Sequence, residues 1–467
     1  MVARWLKIQT VLDGTEALRE AGRAYLPQHE NESDEAYGER KEVATLLNLS
    51  KLTLDSWVGR PFSSPVILNP DVPDQIRVLE DDIDLIGNGV QVFARNWMRE
   101  GLAKGLAHVM IEMPRSGVED RTLADDREEN MRPYWVMVKP EQLFFADAVV
   151  VNGEEVLTEV RMVELVSVRD GFAMMQVKQI RQLELYGGQV NVTLWRMNEK
   201  EEWLVHDAFI VNIDRIPLVT FYADRDGLME GTPPLEDVVD LNLAHWQSTS
   251  DQRACLTVAR FPILTVTGGI DENNKLTIGP KKWLFAPDPA ARFDYLEHSG
   301  VAIDVGRRDI HDLEGQMADY GSEFLKKRPG RETATARTLD SAEATSSLQD
   351  VTMRFMDAMQ SALRITAKWL GLPDGGTVDI STDFTPGAAD AAGLTVLLEA
   401  RKLRDVSRRA LVLALKSQGI LSDEFDPDDD MIELEDEALL MPLGIDPTPP
   451  NEAAIGNQEE GDSDTSA

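Results

Sequence analysis

The sequence predicts an α+β protein in which helices bracket a β-rich middle, and three observations lead there. Apolar residues recur at intervals of three and four in long stretches on both sides of the chain. Between Pro133 and Tyr222 the period changes to two, in short runs such as YWVMVKP, EVRMVELVSV and VNVTLWRM separated by VNGEE and YGGQ. Breakers rich in Gly, Pro and Asn divide these pieces cleanly. At 467 residues the chain has room for two or three domains.

Taken in order, Val43, Leu46, Leu47, Leu54 and Val58 predict a helix from about Glu35 to Gly59, stopped by GRPFSSP. A second helix covers Val90 to Ala103 and feeds a strand from Ala107 to Pro114. The charged stretch from Arg115 to Arg132 reads as a surface loop. The β-region that follows is antiparallel and mostly meandering. PPLEDVVDLNLAHWQSTSDQRACL then opens with Pro at a helix start and acids in the first turn, with Leu235, Val239, Leu243 and Trp246 on one stripe. FPILTVTGG is a β-branched strand, and a Gly- and Pro-rich stretch leads to about Gly300. Ile310, Leu313, Met317, Tyr320 and Phe324 lie on one seam of the next helix. The basic loop KKRPGRETATAR follows it. A long helix from Leu339 to Leu370 presents Leu348, Val351, Phe355, Met359, Leu363, Thr366 and Leu370 on one face. After TVDISTDFT, a helical stretch runs from Ala391 to Gln418.

Charge narrows the function. The net charge is −35, and sixteen acids with no Lys or Arg lie between Leu421 and Ala467, which leaves −19 on the rest. Broad binding to phosphates needs a basic surface, so any contact with DNA must be local. The closing residues, poor in large apolar side chains, read as disordered. MVARWLKIQTVL lacks the features of a secretory signal, and no apolar run reaches the roughly 18–20 residues that cross a bilayer. The expectation is a protein made in the cytosol without a membrane partner.

No catalytic or cofactor motif emerges. One cysteine, Cys255, excludes an internal disulfide and a multi-thiolate metal site, and it reads as a small buried hydrophobe on its helix. The six histidines do not form a ligand set, and His245 beside Trp246 reads as core or interface. The acidic run DEFDPDDDMIELEDE lacks the EF-hand glycine. Gly87-Asn88-Gly89 is a lone GxG, and neither a phosphate-binding loop nor a nucleophile elbow is present. The residues therefore predict no metal, no cofactor and no catalytic site.

The order helix, small β-insert, helix, basic loop, long helix resembles the portal protein family of tailed bacteriophages. The resemblance lies in PPLEDVVDLNLAHWQSTSDQR, FPILTVTGG, QMADYGSEFL, ETATARTLDSAEATSSLQDV and the early AYLPQHENESDEAYGERK. It runs from about Arg23 to Leu421.

The resemblance implies a portal fold with β-rich wing, helical stem, small α/β clip, long wing helix and helical crown. Residues 1–232 would be the N-terminal wing region, 233–256 the first stem helix, 257–300 the clip and 301–325 the second stem helix. The tunnel loop would be 326–338, the long wing helix and wing strand 339–390, the crown helices 391–422, and the acidic tail 423–467. It further implies a non-enzymatic homomeric ring of about twelve subunits at one capsid vertex of the virion, assembled in the host cytoplasm. Such a ring conducts double-stranded DNA during packaging and ejection. Its partners would be the large terminase subunit, the major capsid and scaffold proteins, and a head-tail adaptor. Basic residues after a helix also complement its macrodipole. With the resemblance, Lys326, Lys327, Arg328, Arg331 and Arg337 become candidate contacts to DNA phosphates in the channel. Two other classes stay open on sequence alone: another ring component of a head or tail, and an enzyme in the β-rich N-terminal half.

Overall fold

The computed structural model describes residues 1–115, 131–198, 200–260, 263–267, 292–296, 300–323, 347–382 and 384, with a few residues between 399 and 415. The chain divides into two compact units, Met1–Phe384 and Thr385–Ala467. In the second unit the described residues 399, 401–402, 411–412 and 415 are helical, whereas 406–407, inside the same expected helix, are not. The acidic tail lies outside the described residues.

The first unit opens with two helices to which the sequence analysis assigned no element: α1 (Val2–Asp13) and α2 (Thr15–Ala21), separated by Gly14. Trp5, Ile8 and Val11 form the buried stripe of α1. The helix expected from Glu35 to Gly59 is a pair instead, α3 (Asp34–Val43) and α4 (Leu49–Gly59). Each has its own N-cap: the Ser33 hydroxyl accepts from the Ala36 amide, and the Asn48 side chain accepts from the Lys51 amide. Between them Ala44 is extended, and its carbonyl accepts from the Arg19 guanidinium at 2.9 Å. The apolar spacing spans the break because Ala44 and Leu46 are buried as well. The caps, which compete with continued helix, decided the matter.

After β1 (Ile67–Leu68) and the single-turn α5 (Asp74–Arg77), α6 (Val90–Lys104) runs into β2 (Leu106–Glu112). Gly105 makes that reversal possible. Its φ of 86° is left-handed, and a Cβ there would stand 2.7 Å from the carbonyl oxygen of Gly231. β2 is the centre of a three-stranded antiparallel sheet between β3 (Tyr134–Val138) and, later in the chain, Leu218–Tyr222. It is buried along nearly its whole length, which explains its continuous apolar character.

The β-region forms a five-stranded antiparallel meander in chain order. Its strands are β4 (Leu143–Val151), β5 (Glu154–Asp170), β6 (Ala173–Tyr186), β7 (Gln189–Met197) and β8 (Trp203–Val211). Val160 and Met162 on β5, Leu183 on β6 and Val190 and Val192 on β7 are buried, so one face of the meander belongs to the core. β9 is the Leu218–Tyr222 strand already placed in the first sheet, and a small ribbon, β10 (Arg225–Gly227) with β11 (Glu230–Gly231), follows it.

The remaining elements are α7 (Glu236–Ala259), β12 (Ile263–Thr267), β13 (Arg292–Leu296), α8 (Val301–Glu323), α9 (Ser347–Trp369) and β14 (Val378–Asp379). α9 lies within the stretch read as helical, whereas α7 runs three residues past Leu256, where the expected helix ended. The pairing of β14 with β1 joins residues over 300 positions apart. α9 buries Leu348, Val351, Phe355, Met359, Leu363 and Thr366, the face the spacing predicted. It lies against an aromatic knot: the Phe355 ring is 5.2 Å from Trp97 and 4.9 Å from Phe221, all edge-to-face, and Trp135 stands 6.3 Å from Trp97. Two indoles fix the register of the helix. Trp135 donates to the Thr366 hydroxyl at 2.9 Å, and Trp369 donates to the Ile111 carbonyl at 3.0 Å.

Truncating the centre of this knot, Phe355→Ala, is expected to lower the unfolding free energy by about 3–5 kcal/mol, as read from denaturant melts. A pH effect follows from His108, which is fully buried on β2 beside the Thr220 hydroxyl at 2.9 Å. Burial holds its imidazole down to about 3. Between pH 6.5 and that value the unfolded chain takes up a proton that the folded chain refuses, so stability falls as the pH falls. Melts of wild type and His108→Gln are expected to differ mainly in slope from pH 6.5 to 4.5, with the variant flatter.

Candidate functional site

The part of the fold that the resemblance marks as functional is α7, the two strands after it, and α8. Pro233 and Pro234 lead into α7, and Glu236 and Asp237 occupy its first turn, where acids favour the helix dipole. Arg4 and Lys7 of α1 hold Glu236, the former through Nε at 2.9 Å, and Lys7 also reaches Asp240 at 2.5 Å. The Arg4 hydrogen bond keeps the Glu236 carboxyl below the usual carboxylate range.

The first half of α7 is gripped on several sides, which is why apolar and polar residues are both buried there. Leu235, Val238, Val239, Leu243 and Trp246 are in the core. Asn242, fully buried among them, makes three hydrogen bonds through its side chain. Its carbonyl oxygen accepts from the Ser50 amide and hydroxyl, each at 3.0 Å, and its amide donates to the Leu47 carbonyl at 2.9 Å. That knot ties the first turn of α4 to α7. One turn and more further on, Gln247 donates to the Tyr25 carbonyl at 2.7 Å. Arg40 of α3 then bridges Glu32 at 2.7 Å and Asp251 at 3.1 Å, and donates to the Pro27 carbonyl. Hydrogen bonding from Arg40 pulls the Glu32 carboxyl down to about 2.

α8 returns antiparallel to α7, as the cross-links show. Asp237 pairs with the Tyr320 hydroxyl, His245 with Glu314 at 3.4 Å, Ser248 with Asp309 at 2.9 Å, and Gln252 with the Ile303 carbonyl at 2.8 Å. As one helix advances, the other recedes. The ladder is polar rather than an apolar seam, and burial together with Asp237 pushes the Tyr320 phenol up to about 12. The C-terminal end of α8 is fixed to the body by Trp57, whose indole donates to the Gly321 carbonyl at 3.0 Å, and by buried Met317.

Burial then stops. Among the described residues of α7 none is buried after Ser250, and among those of α8 none is buried before Met317. The helix ends that lead into and out of β12 and β13 are therefore solvent-facing. Those two strands pair antiparallel from Ile263 with Leu296 to Thr267 with Arg292. Cys255 lies on this outer half and is partly exposed, not buried as expected, because α7 has left the body by that point. His245 and Trp246 are buried between elements, as expected of core or interface residues.

Lys326, Lys327, Arg328, Arg331 and Arg337 lie outside the described residues, as does most of the stretch between β12 and β13. Sequence reasoning missed the grip itself: Arg40, Ser50, Trp57 and Asn242 carry no motif, and only their distant partners give them a role. Among the described residues no group of three or more His, Cys, Asp or Glu is placed to hold a metal ion, and no helix is long and apolar enough to cross a membrane. A cavity of about 270 Å³ opens between the two sheets, with Ile111, Leu183, Val192, Phe209 and Trp369 in its walls. The polar groups at its edge engage one another: Arg181 bridges Glu112 and Glu164, each at 2.7 Å, and Tyr134 donates to Glu112.

A family model described as "Domain of unknown function (DUF4055)" matches residues 234–370, the span from the start of α7 to the end of α9. No curated protein matches the chain. Solved structures do match along most of their length. A chain from "Neck of empty GTA particle computed with C6 symmetry" is 12% identical, with a TM-score of 0.41, over 86% of this chain and 90% of that one. A chain from "Virion of native gene transfer agent (GTA) particle" is 11% identical, with a TM-score of 0.36, over 92% and 99%.

Removing the buried amide at the root of α7, Asn242→Ala, leaves the Ser50 amide without its acceptor and takes one partner from the Ser50 hydroxyl and one from the Leu47 carbonyl. It is expected to cost about 2 kcal/mol or more in denaturant melts. Hydrogen exchange in α4 and the first half of α7 should rise most, while α9 stays protected.

Proposed function

We propose that this chain is a portal subunit: a non-enzymatic protein that forms a ring at one capsid vertex and conducts double-stranded DNA. The observation that carries the reading is the antiparallel pair α7 and α8, rooted in the body at one end and joined by strands at the exposed other end. The stem helices and clip of the family resemblance have that order. The resemblance to portal sequences covers this same stretch and continues through α9.

In this reading residues 1–232 form the wing with α9 and β14. The helices α7 and α8 form the stem, the chain around β12 and β13 forms the clip, and residues 391–422 form the crown. The clip would dock the large terminase subunit during packaging and a head-tail adaptor afterwards, while capsid and scaffold proteins meet the outer surface. A net charge of −35 per copy makes the ring repel DNA overall. Contact is then confined to a thin belt formed by Lys326, Lys327, Arg328, Arg331 and Arg337, which touches the phosphate backbone without reading sequence. Weak contact of this kind lets the duplex slide.

Electron microscopy of purified protein is expected to show rings of about twelve copies around a central channel, and monomers would overturn the proposal. Neutralising the five basic residues to Gln should leave the rings intact and reduce DNA packaging and retention in particles. Unchanged packaging would remove the belt from the mechanism.

A further inference from the structure

We draw no further inference here: the strongest candidate, the cavity of about 270 Å³ between the two sheets, carries nothing because its edge groups Glu112, Tyr134, Glu164 and Arg181 engage one another and nothing in the structure shows what fills it.

Discussion

Everything else in the first unit hangs on the packing of α9 across the three-stranded sheet. Trp97 comes from α6, Trp135 from β3, Phe221 from β9 and Phe355 from α9, so one aromatic knot collects elements spread over more than 250 residues. Gly101 shows how tight the contact is, since a Cβ there would meet the Phe221 ring at 2.3 Å. The knot also has a topological consequence. Phe221 precedes α7 and Phe355 follows α8, so the helix pair is an excursion whose two ends are pinned by the same core. The pair can extend into solvent without loosening the body that carries it.

The excursion is held at its root by polar chemistry. Asn242 and Arg40 are buried, and each is surrounded by partners that match its donors and acceptors. An apolar root would grip as firmly, yet it would leave the rotation of α7 about its own axis weakly defined. Hydrogen bonds from Asn242 to α4 and from Arg40 to Asp251 fix that rotation, and the polar ladder to α8 then fixes the second helix against the first. The direction in which the outer strands are carried is set by these few contacts.

Much of this architecture is legible in the sequence, for physical reasons. The amphipathic face of α9 and the period-two meander are one-sided burial patterns, and one-sided burial writes itself into spacing. The helix at 35–59 misled because its apolar spacing runs straight through a break made by the Asn48 cap and by the Arg19 guanidinium on the Ala44 carbonyl. Besides its neighbour α2, α1 packs against α4, α6 and α7, as when Trp5 donates to the Lys104 carbonyl, so the role of Trp5, Ile8 and Val11 stands out only once those partners are known. The root of α7 was equally hidden: a lone Asn or Arg has no periodicity, and its value lies in residues some 190 to 210 positions away. The basic loop was legible as charge contrast alone.

Two features leave the body, and they do so with opposite surfaces. The outer ends of α7 and α8 have lost their burial and keep a polar ladder between them, so they are stable in water as they stand. The β5–β6 ribbon, which runs on past β4 and β7, leaves with Leu165, Phe172, Met174 and Met175 exposed, and hydration of those side chains is unfavourable. The helix pair thus leaves the body with its polar groups matched to each other, whereas the ribbon leaves with apolar side chains in water. The chain's acidic charge limits association to geometries in which short, specific contacts outweigh the general repulsion. The ring proposed above would meet that condition, because each added copy repeats the same contacts and leaves no new exposed edge.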